Sequence, residues 1–106
     1  MEFLVAFEVT VPDGTPESEV GEREHAEASA AAKLAHDGHL VRVWKVAVAT
    51  GGARVLGLYR ADSEAELHAL LRALPLYDWM RVTVTPLESH PNDPAGTGAS
   101  NDQSPS

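Results

Sequence analysis

The sequence predicts an α+β domain of the ferredoxin-like class. Four strands and two helices in the order βαββαβ would build one four-stranded antiparallel sheet with two helices on one face. Three observations carry this expectation. Residues 2–11 alternate with period two, placing Phe3, Val5, Phe7, Val9 and Val11 on one side. A long segment with an Ala-rich second half, residues 28–35, closes at Gly38. Ser63-Glu64-Ala65-Glu66 is a helix-capping signature, and Leu67, Leu70, Leu71 and Leu74 follow it as an apolar stripe.

Each element has its own cause. In the first strand Leu4 and Ala6 make the second face half apolar, so a second subunit is expected to cover it. Pro12-Asp13-Gly14-Thr15-Pro16 is a turn on composition. The first helix is expected from Pro16 to Asp37, with Val20, Ala31, Leu34 and Ala35 on its inward face. His39 to Val48 reads as a second strand, with Leu40, Arg42, Trp44, Val46 and Val48 on one side and Val41, Val43, Lys45 and Ala47 on the other. Thr50-Gly51-Gly52 is a turn, and Ala53 to Ala61 a third strand that returns as a hairpin. Gly57 in mid-strand marks a bulge or a close approach by another group. Pro75 stops the second helix. In the fourth strand Met80, Val82 and Val84 oppose Arg81, Thr83 and Thr85. Residues from about 95 onward have no apolar pattern and are expected to be a disordered tail to a domain of residues 1–94.

Bulk numbers exclude several function classes. The 106 residues suffice for one domain. The chain has no cysteine, which removes disulfides, thiolate metal sites and a cysteine nucleophile. A net charge of −8 with no basic stripe argues against nucleic acid and anionic lipid as partners. It also means that an anionic substrate needs a local cation. With no apolar leader pattern or long apolar run, the cytoplasm is the expected location. The histidine spacing offers no convincing metal set.

Glu24 and Glu27 fall on the inward stripe of the first helix. Two readings stand: both acids are solvated on a helix that overhangs the core, or one faces an internal cavity as a proton-transfer group. Arg42 and Lys45 interrupt an apolar strand, either by reaching outward or as anion anchors. His68 lies at the margin of the leucine stripe, a rim residue or a pocket-facing proton donor. Tyr77 and Trp79 concentrate aromatic surface in the connector after Pro75, as a pocket wall, a subunit contact or a plug under the helix.

Several of these stretches together resemble the muconolactone Δ-isomerases. They are Met1-Glu2-Phe3-Leu4-Val5, Glu27, the run Gly38-His39-Leu40-Val41-Arg42-Val43-Trp44-Lys45, Glu66-Leu67-His68, Leu74-Pro75-Leu76-Tyr77-Asp78-Trp79-Met80 and His90-Pro91. The likeness spans about residues 1–94. Against the family pattern, Val55-Leu56 stands where an Asn-aromatic pair is usual, Lys45 where Arg is usual, and Tyr77-Asp78 where Phe-Pro is common. The resemblance implies cofactor-free isomerisation of a small lactone acid in the catechol branch of the β-ketoadipate pathway. It also implies a homodimer or a decamer of dimers.

The chemistry of that reaction needs a base of raised pKa, a donor for a developing oxyanion and a dry site. Glu27 is the first candidate for the base and Glu24 the second. Arg42 or Lys45 would grip the substrate carboxylate, and His68, Tyr77 or Trp79 would donate to the lactone oxygen or close a pocket that Trp44 helps to line. Two alternatives use the same scaffold: a cyclase or rearrangement enzyme of a natural-product pathway, and a non-catalytic oligomer that binds a small metabolite.

Overall fold

In chain order the elements are β1 (Glu2–Val9), α1 (Glu17–His36), β2 (Leu40–Ala47), β3 (Ala53–Arg60), α2 (Glu64–Arg72), a single 3₁₀ turn (Tyr77–Trp79) and β4 (Met80–Leu87). They come from a computed structural model that describes residues 1–47 and 53–95. The sheet runs β2-β3-β1-β4 with every neighbouring pair antiparallel. This is the split βαβ arrangement expected from the sequence. The turn at Thr50-Gly51-Gly52, the end of the second strand at Val48 and the segment 96–106 lie outside the described residues. Ala95, at the start of the expected tail, sits in a turn and donates its N–H to Asp93 Oδ1 at 2.9 Å.

The helix ends follow local chemistry. Pro16 precedes α1 in an extended conformation, its fixed φ of −61° leading straight into the first turn. The far end closes through Gly38 at φ +85°, with Gly38 N–H donating to Ala35 O at 3.1 Å and His39 N–H to Leu34 O at 2.8 Å. A Cβ-bearing residue would be strained there. For α2, Ser63 Oγ accepts the Glu66 N–H at 3.1 Å. Glu66 Oε1 reaches back to the N–H of Asp62, one residue before the cap, at 2.6 Å.

Register decides which residues the helices cover. Phe3, Val5 and Phe7 of β1 stand beside Tyr59, Gly57 and Val55 of β3 and Pro86, Val84 and Val82 of β4. The helices lie on this side, and Leu34, Leu67, Leu71 and Leu74 join Phe3, Val5, Phe7, Tyr59 and Ala61 in one buried cluster. Phe3, Val5 and Leu67 are fully buried, each contributing about 1.5–3 kcal/mol by transfer from water. The opposite side carries Leu4, Ala6, Leu56, Leu58, Trp44 and Val46, and among the described residues no layer lies over it.

One strand face differs from the sequence expectation. Leu40 pairs with Tyr59 and Arg42 with Leu58, so Val41 is an extra residue in β2. This bulge turns Leu40 onto the helix side, where it packs against the core, rather than onto the side of Arg42, Trp44 and Val46.

The inward stripe of α1 is also rotated from its expected position. Arg23 and Glu27 each lie about 20° round the helix from buried Leu34, whereas Glu24 lies about 80° away and Ala35 about 100°. Arg23 and Glu27 are accordingly half-buried, and Glu24 and Ala35 are exposed. Among the described residues no helix is long and apolar enough to cross a membrane.

Candidate active site

The α1 stripe meets the connector that follows α2. Pro75 cannot extend α2, so the chain turns out of the helix at Ala73 and Leu74 and closes a 3₁₀ turn, with Trp79 N–H donating to Leu76 O at 2.9 Å. Thr10 N–H bonds Trp79 O at 2.8 Å and ties the turn to the end of β1. Into this turn α1 sends two side chains one helical turn apart. Glu27 Oε1 accepts the Leu76 N–H at 3.0 Å. Arg23 Nη1 donates to Pro75 O at 3.2 Å. The guanidinium of Arg23 also lies 4.5 Å from the centroid of the Trp79 ring, and its Nε is 3.7 Å from Glu19 Oε2.

Below Glu27 lies Tyr59, only 4% exposed, its ring 6.0 Å edge-on from that of Phe7. Gly57 permits this placement: a Cβ there would come within 2.5 Å of Tyr59 Cε1. The close approach expected at Gly57 is therefore made by Tyr59's own side chain. Among the described residues the Tyr59 hydroxyl has no hydrogen-bond partner. Burial pushes its pKa up to about 12, and the charge of Glu27 adds to the effect. Burial likewise raises the Glu27 carboxyl above the ordinary carboxylate range, opposed by the Leu76 N–H, which favours the ionised form. The pair thus couples a carboxyl whose pKa burial raises to a phenol that stays protonated. Next to Gly57 on β2, Val43 is 57% exposed, so the shelf beside Tyr59 opens toward β2.

The other candidates fall into separate places. Lys45 stands beside Val55 and Phe7 in register, on the same side of the sheet as Tyr59. Arg42 stands beside Leu58 and Leu4 on the opposite side, its guanidinium 5.1 Å from the ring of Trp44, which shares that side. Tyr77 packs against the buried cluster. His68 is paired on its own helix with Glu64, Nε2 to Oε2 at 3.3 Å. Glu24 is exposed. A cleft of about 430 Å³ is lined by Glu2, Leu58, Leu87, Glu88, Ser89 and Asp93, at the far side of the sheet from Glu27. Its three carboxylates make it a poor seat for an organic acid.

Sequence reasoning did not single out Arg23 or Tyr59. Arg23 was findable as the residue one turn before Glu27 on the stripe centred at Leu34. Tyr59 was signalled by Gly57 two residues earlier on the same strand face.

Comparisons with known proteins bear on the family and the fold. The family model for muconolactone delta-isomerase matches residues 1–93. The muconolactone delta-isomerase of Cupriavidus pinatubonensis is 32% identical over 92 residues, covering 87% of this chain and 97% of its own. Muconolactone delta-isomerase 1 of Acinetobacter lwoffii is also 32% identical, over 87% of this chain and 93% of its own. A crystal structure of muconolactone isomerase superposes with a TM-score of 0.75 at 26% identity, covering 87% of this chain and 93% of that one. A 5-chloro-2-hydroxyhydroquinone dehydrochlorinase from Burkholderia phenoliruptrix shares the fold, with a TM-score of 0.63 at 13% identity and coverage of 85% of this chain and 96% of its own.

Proposed function

We propose, for a chain that belongs to the muconolactone delta-isomerase family, that it shifts the C=C bond of a small lactone acid by a 1,3-proton transfer without a cofactor. The observation that carries this is Glu27: a half-buried carboxyl of raised pKa, held by one peptide N–H through Oε1. Oε2 is left to act as the base. It takes the proton from the ring carbon bearing the carboxymethyl arm, breaking that C–H bond. The electron pair moves through the conjugated C=C toward the carbonyl and gives a dienolate. The protonated Glu27 then returns the proton to the carbon beside the carbonyl, so one group acts first as base and then as acid.

The dienolate oxygen needs a donor in a site with little water. The Tyr59 hydroxyl suits this role because it is unpartnered and stays protonated. Lys45 is the proposed holder of the carboxylate arm, since it shares the sheet side of Tyr59, where Arg42 does not. Tyr77 and Trp79 belong to the wall that the connector makes. We assign the activity to the catechol branch of the β-ketoadipate pathway in the cytoplasm. The assembly would be a homodimer, or dimers joined further, formed over the uncovered sheet side.

The test is an absorbance assay with muconolactone. Wild type should turn it over, and Glu27→Gln should lose about 10²–10⁴-fold in kcat with the fold intact by circular dichroism. Binding of muconolactone without turnover by the wild type would point instead to a scaffold that only holds the metabolite.

A further inference from the structure

We propose that Arg23 is a positioning residue for Glu27: it fixes the Pro75–Leu76 peptide unit, whose N–H in turn orients the carboxylate. This rests on Glu27 being the base.

The geometry has one unusual feature. The oxygen that Arg23 holds and the N–H that Glu27 holds belong to the same peptide group. A peptide unit is planar and rigid, so fixing its oxygen fixes the direction of its N–H. Arg23 is itself held at three points. Its face stacks on Trp79, Nη1 bonds Pro75 O, and Nε faces Glu19. Pro75 immediately precedes, and Trp79 ends, the turn that the Trp79 N–H closes onto Leu76 O. A planar fork can bond at its edge and stack through its face at once; an ammonium group cannot. Arg23 therefore clasps the whole turn, and the turn presents one donor to Glu27. That donor occupies Oε1 and aims Oε2. The groups facing Glu27 are the Leu76 N–H from the connector, the Tyr59 phenol from β3, and Arg23 on its own helix.

The experiment compares wild type, Arg23→Met and Arg23→Lys in the full-length chain, each checked by circular dichroism for an intact fold. The first readout needs no substrate. The Leu76 amide proton and the Glu27 side-chain carboxyl carbon are followed by NMR across a pH titration. In wild type the amide shift should track the carboxyl, because the two are bonded. In Arg23→Met the amide should lose that tracking, and the carboxyl midpoint should move up. Arg23→Lys keeps the charge but not the fork, and should resemble Arg23→Met. Tracking retained in Arg23→Met overturns the proposal, because the Leu76 N–H then needs nothing from Arg23 to hold its direction. Complete restoration by Lys overturns it too, because it reduces Arg23 to a charge.

The second readout uses muconolactone. Arg23→Met should lower kcat up to about 100-fold with KM little changed, and move the acid limb of the pH profile upward. A raised KM with wild-type kcat overturns the proposal and makes Arg23 a substrate anchor. If wild type fails to turn over muconolactone, the isomerase assignment falls by itself. The NMR titration still decides whether Arg23 sets the orientation of Glu27.

Discussion

On the uncovered side of the sheet, Glu2 meets Arg60 at 2.8 Å and Glu8 meets Arg54 at 3.1 Å, each pair on adjacent strands. All four side chains are close to half exposed. On the helix side, among the described residues, Glu27 makes no ion pair. It meets a peptide N–H and the field of a buried phenol. The same residue type therefore serves two purposes within one thin domain. Where water reaches it, glutamate is a solvated partner whose ion pair is worth little. Where helix and sheet exclude part of that water, it holds its proton more tightly and becomes useful as a base.

The apolar residues of the two sides differ in the same way. Phe3, Val5 and Phe7 are buried by the helices, while Leu4, Ala6 and Leu58 stay half exposed on the other side and Trp44 is 38% exposed. A second copy of the chain is the proposed cover. The largest expected effect breaks that cover. Leu58→Asp puts an unpaired charge in the middle of the uncovered side and should convert the assembly to monomers in sedimentation velocity. A wild type already monomeric at micromolar concentration would remove the basis for a covered sheet.

The next effect sharpens the helix side. Tyr59→Phe keeps the ring over Gly57 and removes only the hydroxyl. If that hydroxyl serves the dienolate, kcat should fall about 10–100-fold, the value of one hydrogen bond to a charged group. The melting temperature should hold or rise, because an unpartnered buried hydroxyl is lost. An unchanged kcat would leave Tyr59 as packing alone. Gly57→Ala should then cost about 1–3 kcal/mol by overpacking, as the new methyl drives the Tyr59 ring aside. It should lower activity as well, which urea titration and turnover measured together would show.

The pH dependence of stability tests the burial of Glu27. Its pKa is higher in the folded chain than in the unfolded one, so the folded chain holds that proton more tightly. The ionised form therefore costs stability as pH rises through the raised value, and the cost is absent below the ordinary value of 4.5. Glu27→Gln should melt higher than wild type at pH 7, and the gap should close on acidification below pH 4.5. A gap that is constant with pH would mean that the carboxyl is not penalised by burial. The smallest expected effect lies on the uncovered side. Glu2→Gln, which breaks the pair with Arg60, should cost no more than about 1 kcal/mol, and less in high salt.

What the residues determine alone is whatever short-range chemistry controls. The element order, the stop at Pro75, the left-handed Gly38 and the cap at Ser63 all follow from local backbone preferences, and all are legible in the sequence. So is Glu27 as an acid on a helix that must pack. Which neighbours that acid has is a different kind of fact. Glu27 and Leu76 lie 49 positions apart and Arg23 and Pro75 lie 52 apart, yet each pair meets only because α1 and the connector are laid over the same end of the sheet. A shift of a few tens of degrees in the helix stripe separates half-buried Arg23 from exposed Glu24, and the bulge at Val41 turns Leu40 from one side of the sheet to the other. Periodicity fixes a residue's angle only relative to its own element. The docking of one element on another, set by the summed packing of the whole core, decides which angle faces inward.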